Sequence, residues 1–152
     1  MISIFAATEA DIPQIMAIEC EAFSPPWTHD ALLSEIHRGD SFFAVACMDD
    51  GSTRKATVLG FVIFRQMADE GELLQIASDK AARRCGVADM LMGAALGFAG
   101  SNNIRSIFLE VRKSNEAAIA LYKKHGFSSV RFRKDYYSSP IEDAVVMALS
   151  YD

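Results

Sequence analysis

The strongest constraint on the fold is an apolar helix lying between two apolar strands. Val87, Met90, Leu91, Ala94, Ala95 and Phe98 recur at i, i+3, i+4, i+7, i+8 and i+11, one continuous stripe at helical period. The preceding run ELLQIAS (72–78) and the following run IRSIFLEVR (104–112) read as strands. A strand, a crossover helix and a second strand close right-handed, so these two strands are expected to be parallel neighbours with the helix on one face. Gly93, Gly97 and Gly100 lie on another side of the helix. Glycine weakens a helix interior, so a close approach is expected there.

The rest of the chain supplies partners for that unit. ISIFAAT (2–8) reads as a strand, and Thr8 caps a helix with Asp11 in its first turn. The tandem prolines of SPPWT (24–28) end it, and Thr28 caps a short helix over 29–38. SFFAVAC (41–47) is a strand, DDGS (49–52) a turn, and TVLGFVIFR (57–65) a strand joined through QMADEG to 72–78 as a hairpin. A helix starts at Ser114–Asn115 and stops at Gly126, a C′ glycine. SSVRFRKDYY and EDAVVMALSY are the final strands. The order β-α-α-β-β-β-α-β-α-β-β predicts one mixed α/β sheet with helices on both faces. At 152 residues it is expected to form a single domain, 1–152.

Composition narrows the function classes. No apolar run reaches the roughly 18 residues of a membrane span, and MISIFAATEADIPQ lacks the basic region of a signal peptide. Cys20, Cys47 and Cys85 are odd in number and lack metal spacing, which fits reduced thiols in the cytoplasm and no bound metal. A net charge of −5 argues against direct nucleic-acid binding. Residues 1–80 hold 13 acidic and 5 basic side chains, a surface that attracts a basic partner or is simply solvated.

The stretch ARRCGVADML (82–91) carries the chemistry. The first turn of a helix presents unpaired N–H donors at the positive end of the dipole, and such an end binds phosphate. Gly86 removes a side chain where a backbone approaches a ligand, and Arg83 and Arg84 add charged donors. The stretch is neither a Walker loop nor G-x-G-x-x-G. Read alone, it is equally a basic surface at a helix start.

The pattern Arg83-x-x-Gly86-x-Ala88 at a strand–loop–helix junction resembles the R/Q-x-x-G-x-G/A motif of the GCN5-related N-acetyltransferases (GNAT). IFLEVRKSNEAAIALYKKHGF (107–127) resembles that family's second signature, and the element order follows the family over the full length. The PPWT loop and the tail RFRKDYY…EDAVVMAL are similar to the bacterial ribosomal-protein-alanine branch. The resemblance implies a mostly antiparallel sheet with one central parallel pair splayed to hold acetyl-CoA as co-substrate. It implies that Ile76, Ala77 and Ser78 bond the pantetheine arm. Arg84, Cys85, Gly86, Val87, Ala88 and Asp89 would wrap the pyrophosphate, and Asn115 would touch the cofactor. Glu110 would be the general base and Tyr122 the general acid. The implied acceptor is the N-terminal alanine of a ribosomal small-subunit protein. The alternatives are another N-terminus, a small amine, or a sensor that binds acyl-CoA without turnover. Asp89 departs from the family pattern and is expected to point away from the phosphate, and Lys80 and Ala88 replace a common proline and glycine.

The residues themselves agree with that pair. Phe108, Glu110 and Arg112 share one strand face, and a carboxylate there is paired or lines a wet cleft. A plain Glu110–Arg112 surface pair is the structural alternative. Tyr122 shares a helix face with Ala118 and His125 and is otherwise read as a core tyrosine. A covalent route through Cys85 at the helix start is a further alternative, although none of His29, His37 and His125 is linked by motif to a cysteine.

Overall fold

The computed structural model describes residues 1–48 and 57–151, so the turn expected at 49–52 lies outside the described residues. The elements follow the expected order. They are β1 (Ile2–Ala6), α1 (Ile12–Ala22), α2 (His29–Ile36), β2 (Ser41–Met48), β3 (Thr57–Met67), β4 (Glu70–Ser78), α3 (Val87–Ser101), β5 (Ser106–Arg112), α4 (Glu116–Lys124), β6 (Ser128–Tyr137) and β7 (Glu142–Ser150). The strands form one sheet in the order β1-β2-β3-β4-β5-β7-β6. β4 and β5 pair in parallel and the other neighbours are antiparallel. No helix among the described residues is long and apolar enough to cross a membrane.

Strand alternation builds two cores, one on each face. Ala44, Ala46, Val62 and Phe64 pack with α3, with Tyr122 of α4 and with Ile107, Leu109 and Val111 of β5. Phe43, Val45, Phe61 and Ile63 pack with Ile15 and Ile18 of α1 and Leu32 of α2. The helix ends behave as their sequence dictates. Thr28 Oγ1 accepts from the Ala31 N–H at 3.1 Å, and Gly126 at φ +98° ends α4.

Three details differ from the sequence reading. The β3–β4 hairpin is tighter than QMADEG suggests, because both strands extend to a two-residue turn with Ala68 at φ 57°. The seam of α3 is Val87, Leu91, Met92, Ala95 and Ala99, with Met90 exposed. It runs at i, i+4, i+5, i+8 and i+12, and its dependence on Ala95 and Ala99 hides it from a reading based on large side chains. The glycines of α3 also lie open: a Cβ built at Gly93, Gly97 or Gly100 meets nothing within 4 Å. Close approach occurs instead at Gly60 on β3, where a Cβ would sit 2.7 Å from the Ala77 carbonyl oxygen and 2.8 Å from Val87 Cγ1. That glycine lets the start of α3 settle onto the sheet beside the end of β4.

Gly60→Ala and Gly97→Ala are therefore expected to have opposite signs. The first crowds backbone and core atoms and lowers stability by about 1–3 kcal/mol. The second adds a methyl in open space on a helix and raises stability by about 1 kcal/mol. Urea unfolding of the two variants measures both.

Candidate active site

The parallel ladder between β4 and β5 is short. It holds Glu70↔Ser106, Gly71↔Ile107 and Glu72↔Phe108, and then stops. Its end coincides with a bulge in β4. Ile63 faces Gln75 and Phe64 faces Leu73, so Leu74 is the extra residue. A bulge bends and twists its strand. β5 meanwhile stays paired with β7 along its whole length, from Ser106 to Arg112. A wedge opens between the strands, and the edge of β4 over 73–78, which contains Ile76, Ala77 and Ser78, turns backbone groups toward it with no strand partner on that side among the described residues. Such an edge bonds an extended, amide-bearing chain.

The end of β4 leads directly into the arginine loop. Asp79 Oδ1 accepts from the Ala81 N–H at 3.0 Å and starts a short 3-10 turn, Lys80–Ala82. Arg84 and Gly86 then take φ +69° and +78°. Arg83, Arg84, Cys85 and Gly86 are exposed. Among the described residues, a Cβ at Gly86 would meet nothing within 4 Å beyond its own chain neighbours. The loop is thus a strip of exposed backbone whose free side faces outward, beside the N–H groups that open α3. This fits a diphosphate. Asp89 turns to α4, where its carboxylate meets His125 Nε2 at 2.9 Å and Lys124 Nζ at 3.0 Å. Its hydrogen bond with His125, then that with Lys124, holds the carboxyl below the usual range.

Glu110 lies on the other face of the sheet from α3 and α4, sharing that face with Phe108 and Arg112. Tyr136 Oη donates to its Oε1 at 3.1 Å. Arg133 Nε lies 2.8 Å from Oε2, a charge contact out of line for a hydrogen bond. Arg112 does not pair with Glu110. It donates to the carbonyls of Ser24, Ser138 and Pro140 at 2.8–2.9 Å and to Glu142 Oε1 at 3.2 Å. It also lies 4.5 Å over the Tyr137 ring. One guanidinium therefore ties the α1–α2 loop to the β6–β7 turn, and Ser24 Oγ adds a bond to the Ser139 carbonyl at 2.8 Å. Next to that junction, a cavity of about 390 Å³ is lined by Pro26, Trp27, Thr28, Glu35 and Arg65, among others.

Tyr122 is held by the end of its own helix. The Phe127 N–H bonds the Tyr122 carbonyl at 3.0 Å and the Gly126 N–H bonds that of Lys123 at 3.0 Å, a Schellman closure. The Phe127 ring packs 6.1 Å from the Tyr122 ring. Burial pushes the Tyr122 phenol well above its ordinary pKa, with Tyr137 adding to the effect. Tyr137 is itself pushed up to about 12, first by burial and then by the charge of Glu110. Tyr137 thus feels Glu110, and Tyr122 feels Tyr137, with Tyr122 in the core on the α3 face of the sheet and Glu110 on the other face.

Other expected residues fall as follows. Asn115 caps α4, with Oδ1 accepting from the Ala118 N–H at 3.2 Å, which leaves its NH₂ for a ligand. Cys85 is exposed on the loop. The three histidines pair with carboxylates, His29 with Asp30, His37 with Glu9 and His125 with Asp89. One residue escaped the sequence reading. Glu72 sits at the last rung of the parallel ladder, opposite Arg65 and Phe108. Burial, then the charge of Glu110, raises its pKa, so two carboxylates share the cleft. An acid opening the apolar run ELLQIAS was the available signal.

Residues 12–127 match the family model described as Acetyltransferase (GNAT) family. The chain belongs to the GNAT acetyltransferase family. It is an acetyl-transferring enzyme with acetyl-CoA as co-substrate. It is 32% identical to the ribosomal protein bS18-alanine N-acetyltransferase of Haemophilus influenzae, over 96% of this chain and 97% of that one. It is 30% identical to the Escherichia coli K12 protein of the same name, over 98% and 97%. Among solved structures, the Escherichia coli ribosomal-protein-S18-alanine N-acetyltransferase superposes with a TM-score of 0.85 at 30% identity, over 99% of this chain and 94% of that one. Ard1 from Thermoplasma volcanium superposes at 0.88 with 27% identity, over 99% and 98%.

The GNAT loop gives a direct expectation. Gly86→Val fails twice, because a β-branched residue resists φ +78° and its side chain enters the ligand's space. Coenzyme A affinity is expected to fall at least about tenfold, or about 1.4 kcal/mol, while the far-UV circular dichroism stays native. Calorimetric titration measures it, and unchanged affinity would refute the cradle.

Proposed function

We propose that this chain, acting in the cytoplasm as one N-acetyltransferase domain over 1–152, acetylates the N-terminal alanine of ribosomal protein bS18. The observation that carries the reading is the wedge with a carboxylate on one face and a buried phenol on the other, in a chain about 30% identical along nearly its whole length to enzymes with that name.

The chemistry starts from the acceptor. An amine attacks a thioester only when neutral. At pH 7 an α-amine with pKa 7.7–8.0 is freed for about 1 kcal/mol, and a lysine near 10.4 for about 4.6 kcal/mol. A single carboxylate base is matched to the smaller figure. Glu110 takes the proton from the attacking amine, directly or through a water. The β4 edge near Ala77 offers an N–H to the oxyanion. The C–S bond breaks, and the leaving thiolate takes a proton from Tyr122. Its raised pKa keeps that phenol in the donor form and makes it a weak acid, so the proton moves only as the C–S bond breaks and charge builds on sulfur. One proton leaves the amine and one reaches the thiol, so the transfer balances. Ile76 and Ser78 hold the pantetheine arm, residues 84–89 the pyrophosphate, and the Asn115 amide a further cofactor contact. The walls tied together by Arg112, with Trp27, Tyr136 and Tyr137, admit a narrow extended terminus. The acidic first half attracts the basic segment of a ribosomal protein, an effect that salt weakens.

The test compares kcat/KM for an Ala-starting bS18 peptide, an N-terminally blocked lysine-containing twin, and polyamines. The Ala peptide is expected to win, and Glu110→Gln is expected to lower its kcat by about 10²-fold with the KM for acetyl-CoA unchanged. Equal turnover of the blocked peptide would sink the α-amine reading, and a preference for polyamines would make the enzyme a small-amine acetyltransferase.

A further inference from the structure

Behind the acceptor side of the cleft, α1 carries Glu19, which is 0% exposed. Its Oε1 accepts twice, from the Trp27 backbone N–H at 2.9 Å and from Gln75 Nε2 at 2.8 Å. Glu19 Oε2 and Gln75 Oε1 are both buried, and neither has a hydrogen-bond partner among the described residues. These two oxygens belong to groups already joined by one N–H···O bond. A carboxylate and an amide oxygen can only accept, so an ionised Glu19 leaves both of them stranded. A proton on Oε2 makes it a donor to Gln75 Oε1.

We propose that Glu19 and Gln75 form a carboxylic acid–amide pair that positions the Trp27 loop against the bulged strand β4, and so sets the acceptor side of the active site. The position of the pair gives it that reach. Gln75 directly follows the bulge residue Leu74 and precedes Ile76 and Ala77 on the open edge. Trp27 lines the cavity beside the cleft. Glu19 bonds both at one oxygen, so the distance from the acceptor wall to the strand edge is set through it. Its surroundings favour the neutral acid. Its helix packs through Ile15 and Ile18 into an apolar core with Phe61 and Ile63 of β3, and burial is the largest influence on the Glu19 pKa and raises it. The other ionisable groups on the packed elements are Cys20 and Glu21 on α1, His29, Asp30 and Glu35 on α2, Arg65 on β3, and Glu70 and Glu72 on β4. Of these, Glu35 pairs with Arg65, Glu21 with Lys80 and His29 with Asp30. A raised acid pKa means the pair is intact below the ordinary glutamate value and opens as pH rises through the raised one.

Glu19→Gln tests the proposal, because its amide offers the same acceptor and a permanent donor in place of the acid O–H. The pair rests on the acceptor reading given above only for its kinetic arm. In that arm, Glu19→Ala is expected to raise the KM for the Ala peptide about tenfold with little change in the KM for acetyl-CoA, and Glu19→Gln to stay within about twofold of the parent. Trp27 is the only tryptophan, so its emission reports the loop directly. It is expected to shift in Glu19→Ala and to stay in place in Glu19→Gln. The infrared difference between the parent and Glu19→Gln, followed as pH rises from the ordinary glutamate pKa of about 4.3, is expected to show a protonated carboxylic C=O stretch that persists above that value. Only carboxylate bands in that difference, or a Glu19→Gln variant as impaired as Glu19→Ala, would overturn the proposal. A parent enzyme that ignores every Ala-starting peptide would instead defeat the acceptor reading, and the infrared and fluorescence arms would still decide the pair.

Discussion

The ladder between β4 and β5 stops after Glu72 and Phe108, and the site depends on that stop. Two parallel strands that stayed paired would leave no backbone edge for the pantetheine arm proposed to lie there and no passage between the faces of the sheet. The bulge at Leu74 turns β4 away while its antiparallel bonds to β3 hold the rest of the strand in place. β5 keeps its course because β7 pairs with all of it. The wedge is therefore a product of hydrogen bonding on the outer edges of both strands.

Two further contacts give the wedge its chemistry. The absent side chain at Gly60 lets the start of α3 lie against the end of β4, so the cradle at 84–89 begins where the open edge ends. Arg112 gathers three carbonyls from two separate connections, together with Glu142 at the start of β7. A guanidinium with its donors so fully matched is a fixed strut rather than a mobile surface charge. It frees Glu110, two residues earlier on the same face, from the obvious intrastrand partner. Glu110 is left to Tyr136 and Arg133 at the mouth of the cleft.

Element order was legible in the sequence because its signals are local. Thr28 as a cap, the prolines after α1 and Gly126 past α4 each act within a turn of chain. The crossover of 72–111 follows from handedness alone. The pairing details were not legible. LLQIAS reads as a uniform strand whether or not Leu74 is extra, because a bulge is a property of two strands and only one is being read. The glycines of α3 suggested a close approach that belongs instead to Gly60, whose place inside TVLGFVIFR was itself the better signal. The two-motif resemblance marked Glu110, Tyr122 and the loop, while Glu72 and the Glu19–Gln75 contact depend on which faces meet, and that is set by register.

The central claim is that the unpaired edge of β4 and the start of α3 form one continuous cofactor site, and amide hydrogen exchange tests it most directly. In the free enzyme, amides in 73–78 and 84–89 are expected to exchange faster than those of β3, which are paired on both sides. Acetyl-CoA is expected to slow both segments together and to leave β1 and β2 unchanged. Protection confined to one segment, or full protection of 73–78 before any ligand is added, would contradict the account.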